Sequence, residues 1–284
     1  MFEMIFENQS GLRLNFGAGT PYTIKEFSGL NPPKATINMN ESALIDGATF
    51  NSAKVIYRTM NIAFAIEQDA ETNRLYAYKV LQPKKPIRLY FKSDLLDVFI
   101  DGYVEDVDPT WWAKKQTITV SILCPSPYFK GAQEIINNLK ATIPMFHFAF
   151  ASTAEKELVF GRIESLASIY IPNDGMVETG LVFEIYSRAS VTNITIANAE
   201  TPEFMTLNIT TQPGDLITIT TAQGEKSITL LRNAVETNIF NLLGKNSTWL
   251  TLPVGGAVFS YDVEQGEDTS LEIVIKHYDL FVGV

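Results

Sequence analysis

Apolar and polar residues alternate with a period of two along much of this chain. The alternation is clearest in residues 117–122, 216–220 and 271–275, where threonine, isoleucine and leucine or valine supply most positions. A period of two places successive side chains on opposite faces of a strand, and branched side chains suit its pleated surface. The pattern predicts a mainly β protein built from half-buried strands.

Turn-forming residues separate these strands. The sequences QPGD at 212–215 and AQGE at 222–225, and the pair at 255–256, contain the glycine, proline and polar residues that chain reversals favour. Between 204 and 231, strand and turn follow each other at short, regular spacing. This spacing predicts a meander of three consecutive strands within a sandwich or barrel.

Helical spacing is clearest at residues 69–81, where acidic and capping residues precede Leu75 and its apolar neighbours three and six positions later. The segments at 55–66 and 87–91 have strand character, so we expect this helix to cover a small sheet. Shorter helices are predicted at 134–139 and 238–243.

The best candidate for a domain boundary follows the proline-containing sequence CPSPYFKG at 124–131. Proline cannot donate to a β ladder, so Pro125 and Pro127 should end the strand that precedes them. The sequence therefore predicts an N-terminal domain at 1–131 and a C-terminal domain at 132–284.

Composition supports packed cores, since 46% of the 284 residues are hydrophobic and 19% are charged. The formal net charge of −10 argues against a nucleic-acid-binding or membrane-surface protein, which needs an excess of lysine and arginine. Residues 1–130 contain 14 basic and 14 acidic residues, which leaves 8 basic and 18 acidic residues for the remainder. All the net charge is therefore expected in the second half.

The residues that usually perform chemistry are sparse. Cys124 is the only cysteine, and its apolar surroundings predict a buried hydrophobic residue rather than a nucleophile. The two histidines, His147 and His277, form no metal-binding motif, and no serine-hydrolase, phosphate-loop or dinucleotide motif occurs. We therefore expect no cofactor, no metal and no enzymatic activity.

Neither a signal peptide nor a membrane span is visible in the sequence. The first residues lack the basic and apolar segments of a secretory signal, and no apolar run reaches the roughly 18–20 residues of a membrane span. Synthesis in the cytoplasm is expected.

Acidic residues recur between positions 94 and 108. Their spacing fits neither a glycosidase carboxylate pair nor a calcium loop, so a solvated or interface face is favoured. A separate aromatic group beside the boundary is the candidate contact surface, because aromatic side chains stack on sugars and are enriched at protein interfaces. Its members are Trp111, Trp112, Tyr128 and Phe129.

Several segments, in this order, resemble the distal tail (Dit) protein family of long-tailed phages that infect Gram-positive bacteria. They are GLNPP at 29–33, DGATF at 46–50, NRLY at 73–76, PIRLYF at 86–91, GYVE at 102–105, QTITVSILCPSPYF at 116–129, IPNDGMVETG at 171–180, PGD at 213–215, GEKSI at 224–228, WLTLPVGG at 249–256 and YDLFVGV at 278–284.

The resemblance implies a ring-forming belt domain followed by a galectin-like β-sandwich. It also implies a hexamer at the virion tail tip, which joins the tail tube to the tail-associated and receptor-binding proteins and lets DNA pass. Family members with sugar-binding modules carry large insertions, for which 284 residues leave no room.

Two other functions remain open at this stage. A carbohydrate-binding sandwich that recognises the host wall is the main alternative, and an enzyme acting on wall polymer is the third. A connector should be a defined oligomer without sugar affinity, whereas an adhesin should bind wall polysaccharide.

Overall fold

A computed structural model describes residues 2–42, 45–111, 115–144, 161–165 and 168–284. The chain divides into two compact units: unit 1 is Met1–Gln133 with Leu280–Val284, and unit 2 is Glu134–Asp279. The last five residues thus return to unit 1, whereas the sequence placed them in a second domain at 132–284. Neither 131–133 nor 280–284 contains a charged residue, so unit 1 is neutral and unit 2 carries −10.

The secondary-structure bounds are as follows. Unit 1 contains β1 (Glu3–Asn8), β2 (Arg13–Phe16), β3 (Tyr22–Ser28), β4 (Ala35–Ser42), β5 (Ile45–Val55), β6 (Arg58–Ile66), α1 (Ala70–Val80), β7 (Pro86–Lys92), β8 (Asp97–Pro109), β9 (Thr117–Cys124) and β10 (Phe129–Gly131). Unit 2 contains β11 (Ile135–Asn138), β12 (Lys140–Pro144), β13 (Gly161–Ser165), β14 (Ser168–Ile171), β15 (Thr179–Gly180), β16 (Val182–Ser187), β17 (Thr192–Asn198), β18 (Phe204–Thr210), β19 (Leu216–Thr220), β20 (Ser227–Arg232), β21 (Val235–Asn238), β22 (Thr251–Leu252), β23 (Ala257–Gln265) and β24 (Leu271–His277). The returning segment supplies β25 (Leu280–Phe281).

The main sheet of unit 1 is antiparallel with the order β2-β1-β7-β8-β9-β6-β3, extended by β10, which pairs with both β8 and β25. Strands β4 and β5 form a separate two-stranded sheet. Alternate residues of these strands form one apolar core. The predicted helix is confirmed as α1, which buries Ala77 and Val80 in that core. None of the helices in the described part of the chain has the length and apolarity needed to cross a membrane.

Unit 2 is a β-sandwich. One sheet has the order β11-β24-β16-β19-β20-β21, the other has the order β14-β23-β17-β18, and both contribute residues to a common apolar core. The two-stranded ladders β12-β13 and β15-β22 complete the pairing. The prediction of a mainly β chain with one covering helix is confirmed.

The predicted meander at 204–231 is wrong. Its first strand, β18, pairs with β17 in one sheet, whereas β19 and β20 form a hairpin in the other. Asp215, in the turn between β18 and β19, accepts hydrogen bonds from the backbone N–H of Gln212 and from Arg232, and so connects this turn to the end of β20. Strands of both sheets show the same alternation, so the pattern does not specify the sheet.

The two short helices also differ from the prediction. Residues 134–139 contain the strand β11 rather than a helix, because this β-branched segment pairs with β24 at the edge of the sheet. At 238–243 the helix is reduced to a 3-10 turn at Phe240–Leu242.

Candidate functional site

The four aromatic residues predicted as contacts occupy different environments. Trp111 is 56% exposed, and the Arg74 guanidinium lies 4.3 Å from its ring centroid. Tyr128 is partly buried. Phe129 is fully buried in the core of unit 1, 5.5 Å from Phe91 between ring centroids, so its side chain is not available to a partner. Trp112 lies outside the described residues.

A buried arginine was missed by sequence reasoning. Arg58, at the start of β6, is 4% exposed, and its guanidinium lies 4.6 Å from the centroid of the Phe129 ring. It donates to backbone carbonyls of four residues that are distant in the sequence: Gly29, Asn31, Pro127 and Val282. Burial lowers the pKa of this guanidinium.

These contacts of Arg58 join three segments that carried the resemblance: 29–33, 116–129 and 278–284. The backbone is close-packed here. A Cβ added at Gly29, where φ is +102°, would lie 2.6 Å from the Thr59 carbonyl oxygen. These three segments therefore form, in unit 1, a structural junction that holds the returning residues 280–284.

Strands β4 and β5 form a two-stranded hairpin that pairs with no other strand of the described chain. Directly opposed residues share a face, and the register opposes Ile37 with Ala53 and Met39 with Phe50. On the other face Asn38 donates to the Ser52 hydroxyl at 3.0 Å. The hairpin is therefore amphipathic, with one apolar and one polar face.

The apolar face of this hairpin is exposed. Ile37 is 54% exposed, Met39 57% and Phe50 63%. Sequence reasoning missed the hairpin, although the alternation in 35–41 and 48–50 was available as a signal. Exposed apolar faces of this kind usually mark interaction surfaces.

A second apolar surface lies on unit 1 between its edge strands. Strands β2 and β3 are the ends of the seven-strand path and do not pair with each other. Between them is a pocket of about 320 Å³. Its lining is mainly apolar, with hydroxyl groups on Tyr22 and Thr23, and includes Phe2, Met4, Phe16, Ala18 and Ile24.

The acidic residues between 94 and 108 lie partly beside basic or hydroxyl side chains. Asp101 accepts a hydrogen bond from Arg88 at 2.6 Å, Asp97 lies 3.5 Å from Lys92, and Glu105 accepts from the Ser121 hydroxyl. In the described part of the chain, no group of three or more His, Cys, Asp or Glu residues could hold a metal ion. These contacts describe a solvated face.

Cys124 is fully buried, as the sequence predicted. Burial raises the pKa of its thiol to about 12. The thiol therefore stays protonated at neutral pH, and because the thiolate is the reactive form, the residue is chemically inert.

One tryptophan of unit 2 has the ring type that often stacks on sugars. Trp249 is the natural candidate, but Phe240 lies 5.6 Å from its ring centroid and the Lys226 ammonium lies 5.1 Å from it. The indole is thus engaged by its own unit.

Unit 2 also holds a buried ionisable pair. His277 in β24 is 2% exposed, and its Nε2 lies 3.6 Å from Oδ1 of Asp279. Burial is the largest influence on both groups: it lowers the pKa of His277 below the ordinary 6.5 and raises that of Asp279 above 3.8. His147, the other histidine, lies outside the described residues.

We expect unit 2 to lose stability as the pH falls from about 7.5 to about 5.5. A histidine whose pKa is lower when folded stays neutral while the unfolded chain takes up a proton, so stability is lost below the unfolded pKa of about 6.5. The measurement is the urea midpoint followed by Trp249 fluorescence in a Trp111→Phe/Trp112→Phe background. His277→Gln should flatten the profile.

The control is His147→Gln, which should keep the pH dependence of the parent. Asp279 titrates with the opposite sign, because its raised pKa favours the folded state at low pH. The comparison is therefore made between variants rather than on absolute slopes. Parallel profiles for the His277→Gln variant and the parent would contradict the assignment.

Comparisons with known proteins give matches in sequence and in structure. A family model described as the siphovirus-type tail component, C-terminal domain, matches residues 174–275, which lie within unit 2. No curated protein matches the chain. The Dit protein of phage SPP1 is 13% identical, with a TM-score of 0.69 over 99% of both chains.

Two structures of the phage P2 baseplate in its activated conformation, with calcium and with strontium, also contain a similar chain. Each match has a TM-score of 0.51 and covers 97% of this chain and 98% of the other, at 12% and 13% identity respectively. At this identity the structural matches establish a shared fold. The resemblance predicted from the sequence is thus confirmed: unit 2 matches the siphovirus-type tail component family, and the whole chain has the fold of a phage distal tail protein.

Proposed function

We propose that this chain is a structural protein of a phage tail tip, where it connects the tail tube to the tail-associated and receptor-binding proteins. The observation that carries the proposal is that the fold match extends over both units. A match to unit 2 alone would fit any protein that contains such a sandwich. The SPP1 relative is described as a paradigm of the hub of the adsorption apparatus. On this proposal the chain is made in the host cytoplasm and resides in the virion.

The proposed assembly is a closed ring of six copies, through which DNA passes. Ring closure needs two different surfaces on each subunit that complement each other. Unit 1 offers exposed apolar surface in the hairpin β4-β5. It has equal numbers of acidic and basic residues, so the electrostatic repulsion between closely packed copies is small. Trp111 and Tyr128 are proposed as further contact residues. Trp112 is proposed as a contact residue from the sequence alone.

A connector requires geometry rather than catalysis, and the features above are compatible with that role. The single thiol is buried and protonated, and several acidic side chains of the 94–108 run contact basic or hydroxyl groups. We propose on this basis that the chain is not an enzyme.

Light scattering at micromolar concentration tests the ring. The purified chain, alone or with the tail-tube protein, should have the mass of about six copies. Phe50→Asp should shift the mass towards one copy, because it places a charge on the apolar face of the hairpin. Thr49→Asp is the matched control, since it adds the same charge to the polar face and should leave the ring intact. If the unmodified chain stays monomeric both alone and with the tail-tube protein, the proposal is wrong.

A further inference from the structure

The apolar face of the hairpin requires a cover that the described residues of unit 1 do not supply. A two-stranded hairpin without packing is at best marginally stable in water, and open strand edges invite unwanted pairing. Ile37, Met39 and Phe50 are all more than half exposed on one face. The opposite face carries the Asn38–Ser52 hydrogen bond and suits contact with water. One face is therefore built for burial and the other for solvent.

We propose that the apolar face of hairpin β4-β5 packs into the pocket between β2 and β3 on the next copy of this chain. The inference rests on the proposed ring and identifies the two surfaces that close it. Each copy offers one hairpin and one pocket, which gives the head-to-tail contact that a ring requires.

The pocket has the chemistry of a hairpin acceptor. Met4, Phe16 and Tyr22 line it and are all at least 95% buried, so its lining is continuous with the core of unit 1. Its volume of about 320 Å³ equals that of roughly ten waters. That space is of the size that a large side chain such as Phe50 occupies.

Charge favours this pairing. None of the residues that line the pocket is charged. Among the residues that the register pairs across the hairpin's apolar face, one is charged: Glu41 near the tip, which lies opposite Ala48. Burying an uncharged pocket against the Ile37, Met39 and Phe50 side chains, with Glu41 left at the tip, avoids most of the desolvation cost of unpaired charges.

A second copy is favoured over a different protein as the occupant. Both surfaces belong to unit 1, which has no net charge, and they occur in equal number in any assembly of this chain. A two-fold dimer would place hairpin against hairpin and leave both pockets empty. A head-to-tail contact fills every pocket and covers every hairpin except at an open end, and a closed ring has no such end.

Paired cysteines test the contact on the full-length chain. Cys124 does not interfere because it is buried and its thiol has a pKa of about 12. Phe50→Cys combined with Ala18→Cys should give a ladder of covalent oligomers under mild oxidation, up to the number of subunits in the ring. Mixing the two single variants should stop at covalent dimers. The readout is a non-reducing gel, with mass measured in parallel.

The matched control replaces Phe50→Cys with Thr49→Cys, one residue away on the opposite face. This pair should cross-link at least tenfold more slowly than the Phe50→Cys pair. Rings that form normally but show no Phe50–Ala18 cross-link, or equal rates for both pairs, would overturn the inference and leave the proposed function standing. If the parent and both variants remain monomeric, the proposed function fails together with the inference.

Discussion

Replacement of Arg58 by methionine is expected to lower the free energy of unfolding of unit 1 by about 3 kcal/mol or more. The guanidinium donates to the carbonyls of Gly29, Asn31, Pro127 and Val282 from a site that is 4% exposed. Each buried acceptor left without a donor costs about 1–3 kcal/mol. Water can hydrogen-bond to some of the carbonyls that lose the guanidinium. The expected loss in free energy of unfolding is therefore below the sum for four unpaired acceptors.

Arg58→Lys should recover only part of the stability. Lysine keeps the charge, but its ammonium lacks the planar fork of donors with which a guanidinium can reach four carbonyls at once. Removing residues 280–284 should also destabilise unit 1, because it deletes the Val282 acceptor and the pairing of β25 with β10.

Arg88→Met is the matched control. Arg88 is also an arginine on a strand of unit 1, and its guanidinium lies 4.2 Å from the Phe99 ring centroid, but its side chain is 44% exposed and pairs with Asp101 at the surface. Exposed pairs contribute at most about 1 kcal/mol. Urea unfolding followed by tryptophan fluorescence in a Trp249→Phe background reports on unit 1. Equal effects of the two substitutions would contradict the role assigned to Arg58.

Local periodicity predicted the elements that bury one face in the core of the unit to which they belong. The strand β9 and the helix α1 are examples, because their apolar spacing directly reflects the core face they contribute. The assignment of β18 and β19 to different sheets was not predictable in this way. Both sheets bury the same kind of face, so the alternation is identical.

The hairpin and Arg58 show why the candidate site was harder to predict than the fold. Residues 35–41 alternate like any half-buried strand, and what distinguishes them is that the described residues of unit 1 leave them exposed. Arg58 binds backbone carbonyls, which carry no side-chain signature in the sequence. The segments that carried the resemblance are in part junctions of this kind. In unit 2, Asn173 donates to the carbonyls of Leu252 and Pro253 and so joins 171–180 to 249–256.

When the two units are produced as separate fragments, only unit 1 should assemble. The expected result is that unit 1 forms rings and unit 2 remains a folded monomer. Each unit has its own apolar core, so each is expected to fold independently. Unit 1 must include its returning strand, and the fragment to use is therefore 1–133 joined to 280–284 through a flexible linker of about eight residues.

The physical reason is charge. Unit 1 contains 14 residues of each sign, whereas unit 2 carries −10, so six copies of unit 2 together carry about −60. Physiological salt screens exposed charges only beyond about 8 Å, and desolvating like charges at a shared axis would add a further cost. Unit 1 is therefore proposed to form the inner ring, and unit 2 the peripheral docking domain.

Sedimentation at low and at physiological salt measures the oligomeric state of each fragment. Unit 1 should sediment as a ring under both conditions, since its association is attributed to apolar surface rather than to net charge. Unit 2 should stay monomeric under both, with the largest margin at low salt, where repulsion is least screened. As a control, Phe50→Asp in the unit 1 fragment should abolish the ring, as in the full chain. Rings formed by unit 2 while unit 1 stays monomeric would reverse the assignment.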